Sequence, residues 1–155
     1  WINAQLTPKG IAQADALKPI LEKEDFDGVY SSDLDRAIET ARHAWGEPVQ
    51  TASLREIFFG DYDGKPIREV DPEWVKKLYI YPDGFSSPNG ETLEDVSKRI
   101  TAFLDNLKPG RYLIVCHGGV IRTVSRQIGE DRFIENGTVL VVDWSHKKIL
   151  RSIQS

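Results

Sequence analysis

Apolar residues recur along this chain with two alternating periods. Ile11, Ala14, Leu17, Ile20 and Leu21 fall on one helix face. Thr7-Pro8 before them supplies an N-cap and a proline at the first helical position, so the pattern predicts a helix from Pro8 to about Glu22. A short strand follows at Phe26–Tyr30, a capping turn at Ser31-Ser32-Asp33, and a second helix over Leu34–Ala44. Val49–Phe58 reads as extended and Gly60–Gly64 as a loop. Pro66 to Tyr79 reads as helical with a break at Pro72. Tyr81–Gly90, with two prolines, two glycines and an asparagine, is the longest irregular stretch. The clearest stripe is Leu93, Val96, Ile100, Phe103, Leu104 and Leu107, stopped by Pro109-Gly110.

Beyond that helix, Tyr112–Cys116 is a continuous apolar run, expected as a strand buried on both faces. His117-Gly118-Gly119 turns it into a helix over Val120–Ile128. Thr138–Trp144 and Lys148–Ile153 read as a closing hairpin around Ser145-His146-Lys147. Strands alternating with helices predict an α/β sheet covered on both faces, in one domain over residues 1–155. With 155 residues and 40% hydrophobic content, the chain holds one core and is too short for two ordinary domains.

Two junctions carry residues suited to a ligand, because open α/β sheets bind beyond the carboxyl ends of their strands. One is Val29-Tyr30-Ser31-Ser32-Asp33-Leu34-Asp35-Arg36; the other is Ile114-Val115-Cys116-His117-Gly118-Gly119. At the second, two glycines admit a ligand to the backbone, and the following helix offers free N–H groups to an anion. Arg36 offers a fork that grips phosphate in two places. Taken singly, each has a plainer reading: His117 as a strand-end polar residue, Arg36 as a surface partner of Asp33 or Glu39, Glu56 as one of 24 acidic residues.

A net charge of -4 argues against a duplex nucleic-acid partner but permits a small anion held locally. The single cysteine excludes an internal disulfide, and no apolar run approaches a membrane span, so a cytoplasmic location is expected. The chain begins at Trp1 and contains no methionine, which points to an incomplete sequence.

Together the motifs resemble those of the histidine phosphatase (phosphoglycerate mutase-like) superfamily. They run in order: Leu6-Thr7-Pro8-Lys9-Gly10, Tyr30 to Ala41, Leu54 to Gly60, Asn89-Gly90-Glu91-Thr92, and Val115 to Arg122. The resemblance implies a three-layer α/β/α fold with a mostly parallel central sheet. It implies a small phosphatase acting through a phosphohistidine, without cofactor or metal, on a small phosphorylated substrate. Arg36 then binds the phosphate, His117 and the Gly118 N–H donate to it, and Glu56 protonates the leaving oxygen. Fixed positive donors around the phosphoryl oxygens are what this chemistry requires.

The family's nucleophile, in an Arg-His-Gly motif ending the first strand, has no counterpart between Trp1 and Ser155; a preceding segment with a central strand is expected to supply it. In the family's mutases an arginine follows the acid, where this chain has Ile57, and the stretch from Gly60 to Asn89 is short. Both favour a phosphatase over a mutase. Ile57, Phe58, Phe59, Tyr62, Trp74 and Tyr79 are candidates for an apolar substrate wall, or for core. Two rivals stand beside this reading. Cys116 to Arg122 fits a Cys-x-x-Gly-x-x-Arg loop of cysteine-dependent phosphatases, and a non-catalytic relative binding phosphorylated ligands or a protein would keep the same residues. A homodimer through the C-terminal hairpin is compatible with the sequence.

Overall fold

The alternating apolar residues of two short strands decide how the helices are distributed. In a computed structural model that describes residues 1–155, β1 (Gly28–Ser32) lies between β2 (Val49–Thr51) and β3 (Tyr112–Val115), all parallel. Val29, Leu113 and Val115 turn to one face, where they meet Leu17, Leu21 and Ala44 of α1 (Pro8–Leu21) and α2 (Asp35–Ala44). Tyr30, Ile114 and Cys116 turn to the other. There they meet Val96 and Ile100 of α4 (Leu93–Asp105) and Val120 of α5 (Gly118–Gln127). This is the expected three-layer α/β/α arrangement with a parallel central sheet, each face obeying the period-two rule for strands.

Local sequence chemistry sets the helix ends. The Thr7 hydroxyl accepts from Gly10 N at 3.1 Å, with Pro8 occupying the first turn, where its missing N–H costs nothing. At the start of α4, Thr92 and Asp95 form a reciprocal capping box. This fixes where Glu91 leaves the preceding loop. α3 (Pro72–Ile80) begins at Pro72 under an Asp71 cap, so the expected break is the helix start, preceded by a single 3-10 turn at Ile67–Glu69.

Some expectations need correction. The first strand begins two residues later than its apolar run suggests, because pairing with Tyr112 starts at Gly28. Val49–Phe58 is not one extended segment: pairing stops at Thr51 and a 3-10 turn covers Ala52–Leu54, capped by the Thr51 hydroxyl. The run Tyr112–Cys116 is covered by helices on both faces, but only Leu113 is buried outright, since β3 pairs with β1 alone and its other edge is open. The hairpin of β4 (Thr138–Asp143) and β5 (Lys148–Gln154) is present as a separate antiparallel pair, with Val139 packed against the α1/α2 face.

Ile100 is 1% exposed at the centre of the α4/α5 cluster. Ile100→Ala should therefore lower unfolding free energy by about 3 kcal/mol, read from urea midpoints at unchanged m-value. A loss below about 1 kcal/mol would show that this face repacks and is not the rigid support described here.

Candidate active site

Parallel register brings three distant loops to one edge of the sheet. Ser32 pairs with Thr51 and Ser31 with Val115, so the chain leaves β1, β2 and β3 side by side at their carboxyl ends. After β1, the Ser32 hydroxyl accepts from Leu34 N at 3.2 Å and turns the chain into α2, whose second residue is Arg36. After β2, the 3-10 turn delivers Glu56. After β3 come His117, at the N-cap of α5, and the two glycines of its first turn.

Arg36 and Glu56 line one cavity of about 220 Å³, with Trp1, Ile2, Ala4, Ile57, Phe59 and Asp63 completing its wall. Arg36 makes neither of the surface ion pairs its sequence context suggests: its Nη1 donates to the Ile2 carbonyl at 3.0 Å. Asp33 instead holds Arg55 through two bonds of 2.7 Å, and Glu39 accepts from Leu6 N.

The Glu56 carboxyl accepts from Ile57 N at 2.9 Å and from Gly119 N at 3.2 Å, joining the second loop directly to the third. Glycine at 119 leaves room for this contact, because a methyl group there would push the carboxyl out of its present direction. Burial pushes the Glu56 pKa above the usual carboxylic range. The two N–H donors and the charges of Arg36 and Arg99 pull against that shift without overcoming it.

His117 is 7% exposed and does not line the cavity; its Nε2 is buried without a hydrogen-bond partner. Burial, helped by the charges of Arg36 and Arg99 and opposed by Asp33, drives its pKa down to about 3. The imidazole is therefore neutral near physiological pH, and one ring N–H is available to donate. The expected trio is thus brought together unequally: Arg36 and Glu56 share a cavity, and His117 lies two residues from Gly119, within the field of Arg36. The Gly118 N–H sits in the first turn of α5, which the His117 side chain does not cap.

The aromatic candidates divide. Phe59 stands on the cavity wall and packs edge-on against Trp74, which also meets Tyr62. Ile57 is core and cavity floor together, 3% exposed. Phe58 stacks on Trp1, while Tyr79 lies away from this group and stacks on Phe133 at the surface. His43 and His146 are bound to Asp15 and Asp143. No three His, Cys, Asp or Glu side chains gather as a metal cage, and no helix is long and apolar enough to cross a membrane.

The thiolate rival does not survive this geometry. Burial, reinforced by Glu56, pushes the Cys116 thiol up to about 12, opposite to what a nucleophilic thiolate needs. Arg122 points away from the loop: it is bound twice to Asp131, donates to the Tyr79 carbonyl, and lies over the Tyr81 ring.

The histidine phosphatase superfamily (branch 1) model matches residues 1–152. The chain belongs to that superfamily. It is 32% identical over 136 residues to the adenosylcobalamin/alpha-ribazole phosphatase of Escherichia coli, a match covering 80% of this chain and 67% of that protein. It is likewise 32% identical over 142 residues to the 2,3-bisphosphoglycerate-dependent phosphoglycerate mutase of Bartonella tribocorum, covering 80% and 69%. The crystal structure of a phosphoglycerate mutase from Thermus thermophilus superposes with a TM-score of 0.89 at 36% identity, covering all of this chain and 87% of that one. The chain thus spans about two thirds of the length of the curated relatives it matches.

Within this superfamily member, the Arg55–Asp33 and Arg99–Glu91 pairs were not singled out by sequence reasoning. Glu91 belongs to the Asn89-Gly90-Glu91-Thr92 motif, which gives it no role by itself, and Arg99 is one polar residue on the helix after it.

Two outcomes follow. Below pH 6.5 and down to about 3, the unfolded chain binds a proton at His117 that the folded chain refuses, so acid removes stability through that window. Glu56 has the opposite sign: its carboxyl keeps a proton in the fold after the unfolded chain has lost it, so its contribution declines as pH rises. In urea titrations at neutral pH and in mild acid, His117→Asn should flatten the acid-side loss; an unchanged slope would mean that His117 titrates freely. Cys116→Ser should leave catalysis of the full-length protein within about twofold, the range of a buried near-isostere, and abolition with intact folding would restore the thiolate route.

Proposed function

We propose that this chain is the body of a phosphomonoester hydrolase acting on a small phosphorylated metabolite through a phosphohistidine. The nucleophilic imidazole lies in a segment preceding Trp1. The observation that carries this reading is the Arg36–Glu56 cavity, closed on one side by the Glu56–Gly119 bond.

The residues divide the work by charge. Arg36 neutralises the phosphoryl oxygens and fixes their orientation, and neutral His117, with the Gly118 N–H, donates to the equatorial oxygens as charge spreads over them. In the first step the nucleophile's nitrogen bonds to phosphorus, the ester P–O bond breaks, and Glu56 gives its proton to the departing alkoxide. In the second, the Glu56 carboxylate takes a proton from water, whose oxygen displaces histidine and releases inorganic phosphate. A carboxyl with a raised pKa suits the first task, and its ionised form suits the second.

Water as the acceptor, rather than a second hydroxyl, is favoured by Ile57. That position follows the acid, and its side chain is buried in the α4/α5 core instead of gripping a substrate carboxylate.

The test is a phosphomonoester panel on the full-length protein, with 3-phosphoglycerate and an aryl phosphate included. Release of inorganic phosphate without isomerisation is expected. Isomerisation of 3-phosphoglycerate would establish the mutase, and phosphate binding without turnover the non-catalytic relative. Glu56→Gln should cut kcat on an alkyl phosphate by about 10²–10⁴-fold, with a much smaller loss on the aryl ester, whose leaving group needs no proton.

A further inference from the structure

We propose that the Arg99–Glu91 ion pair is the positioning device for the Glu56 carboxyl, an inference that rests on the reading of Glu56 as the proton donor. Arg99, on α4, donates Nη1 to the Ser53 carbonyl at 2.8 Å and Nη2 to the Glu56 carbonyl at 3.1 Å. One guanidinium therefore holds two acceptors on successive turns of the same loop. Its Nε reaches Glu91 Oε1 at 3.0 Å, and Nη2 also reaches Oε2 at 3.1 Å.

Glu91 carries the restraint to the far side of the acid. Its Oε2 accepts from Phe58 N at 2.8 Å, and its own N–H donates to the Phe58 carbonyl at 2.8 Å. The backbone is thus tied before, at and after Glu56 to one pair whose side chains are each 20% exposed. Between these ties Ile57 is sunk in the core, so the loop can neither slide nor rotate about Glu56 without breaking charged hydrogen bonds. The carboxyl is left directed at Gly119 N.

Neither Arg99 nor Glu91 lines the Arg36–Glu56 cavity, and the groups that Arg99 and Glu91 bind belong to the loop carrying Glu56 and to each other. The guanidinium charge has a second effect, since it lowers the pKa of both Glu56 and His117. Lysine would keep that charge but could not bridge two carbonyls and a carboxylate with one rigid planar group. Position and charge are therefore separable.

In the full-length protein, Arg99→Lys should lower kcat by about 10- to 100-fold, the scale of a small misplacement of a reacting group, with KM within about twofold and the pH profile in place. Arg99→Gln should add a shift of the profile to higher pH. Glu91→Gln, which leaves the arginine on its carbonyls, should cost less than either, and Arg42→Gln, at an exposed pair with Glu47, should change nothing. A second readout needs no turnover: followed by carboxyl NMR, the Glu56 midpoint should rise in Arg99→Gln and stay put in Arg99→Lys. If the wild type hydrolyses no phosphomonoester, the functional reading fails, while the positioning claim is still decided by the Gly119 amide: its hydrogen exchange should quicken in Arg99→Lys and not in Arg42→Gln, and an unchanged rate in Arg99→Lys overturns it. Wild-type kcat in a folded Arg99→Lys protein, or a lowered melting temperature with kcat unchanged, overturns the proposal. Should Arg99→Gln fail to fold, Arg99→Lys and Glu91→Gln carry the same test.

Discussion

Parallel pairing of three short strands is the constraint on which everything else depends. In a parallel sheet every carboxyl end lies on the same edge, so three loops far apart in sequence must leave the sheet together. Here that edge receives Arg36, Glu56 and His117 within the span fixed by Ser32 opposite Thr51 and Ser31 opposite Val115. A one-residue slip of β3 against β1 would send Ile114 and Cys116 to the α1/α2 face and carry His117 and Gly119 away from the loop of Glu56. The apolar faces therefore set the register, and the register sets the site.

The site then works against the overall charge of the molecule. A chain with net charge -4 sets Arg36 and Arg99 within reach of two groups whose charged forms burial disfavours. Desolvation disfavours a carboxylate and an imidazolium alike, so Glu56 is shifted up and His117 down. Arginine resists neutralisation and supplies the fixed positive field. The outcome is an acid that gives up its proton less readily than an exposed carboxyl, beside a histidine that stays neutral and can donate one hydrogen bond.

Much of this was legible in the residues themselves. The helix of Leu93 to Phe103, the Thr7-Pro8 start and the strand–Gly–Gly–helix turn followed from local patterns, since stripe spacing and caps act over a few residues. The strand at Val49 was overestimated, because an apolar stretch cannot report where its partner strand ends. Tyr112–Cys116 packs on both faces but is less deeply buried than its apolar run suggests, for the same reason: exposure of β3 depends on its neighbours in space. Arg36, Glu56 and His117 were readable only as a set of motifs, and the contacts of Arg99 were not readable at all. Two of its partners are backbone carbonyls, which leave no mark on sequence, and the third is Glu91, across the start of α4. The Cys116–Arg122 spacing shows the converse, a correct pattern whose arginine is committed to Asp131 and the end of α3.

The bond between Glu56 and Gly119 has an evolutionary corollary. While Glu56 keeps its present direction, a side chain at 119 would press on its carboxyl, so substituting that glycine must turn the carboxyl away from the Gly119 N–H. A shorter acid at 56 would open that space and withdraw the carboxyl from the cavity. The two positions are therefore coupled through the direction of one side chain. A relative that carries alanine or serine at 119 should hold its acid in a different rotamer.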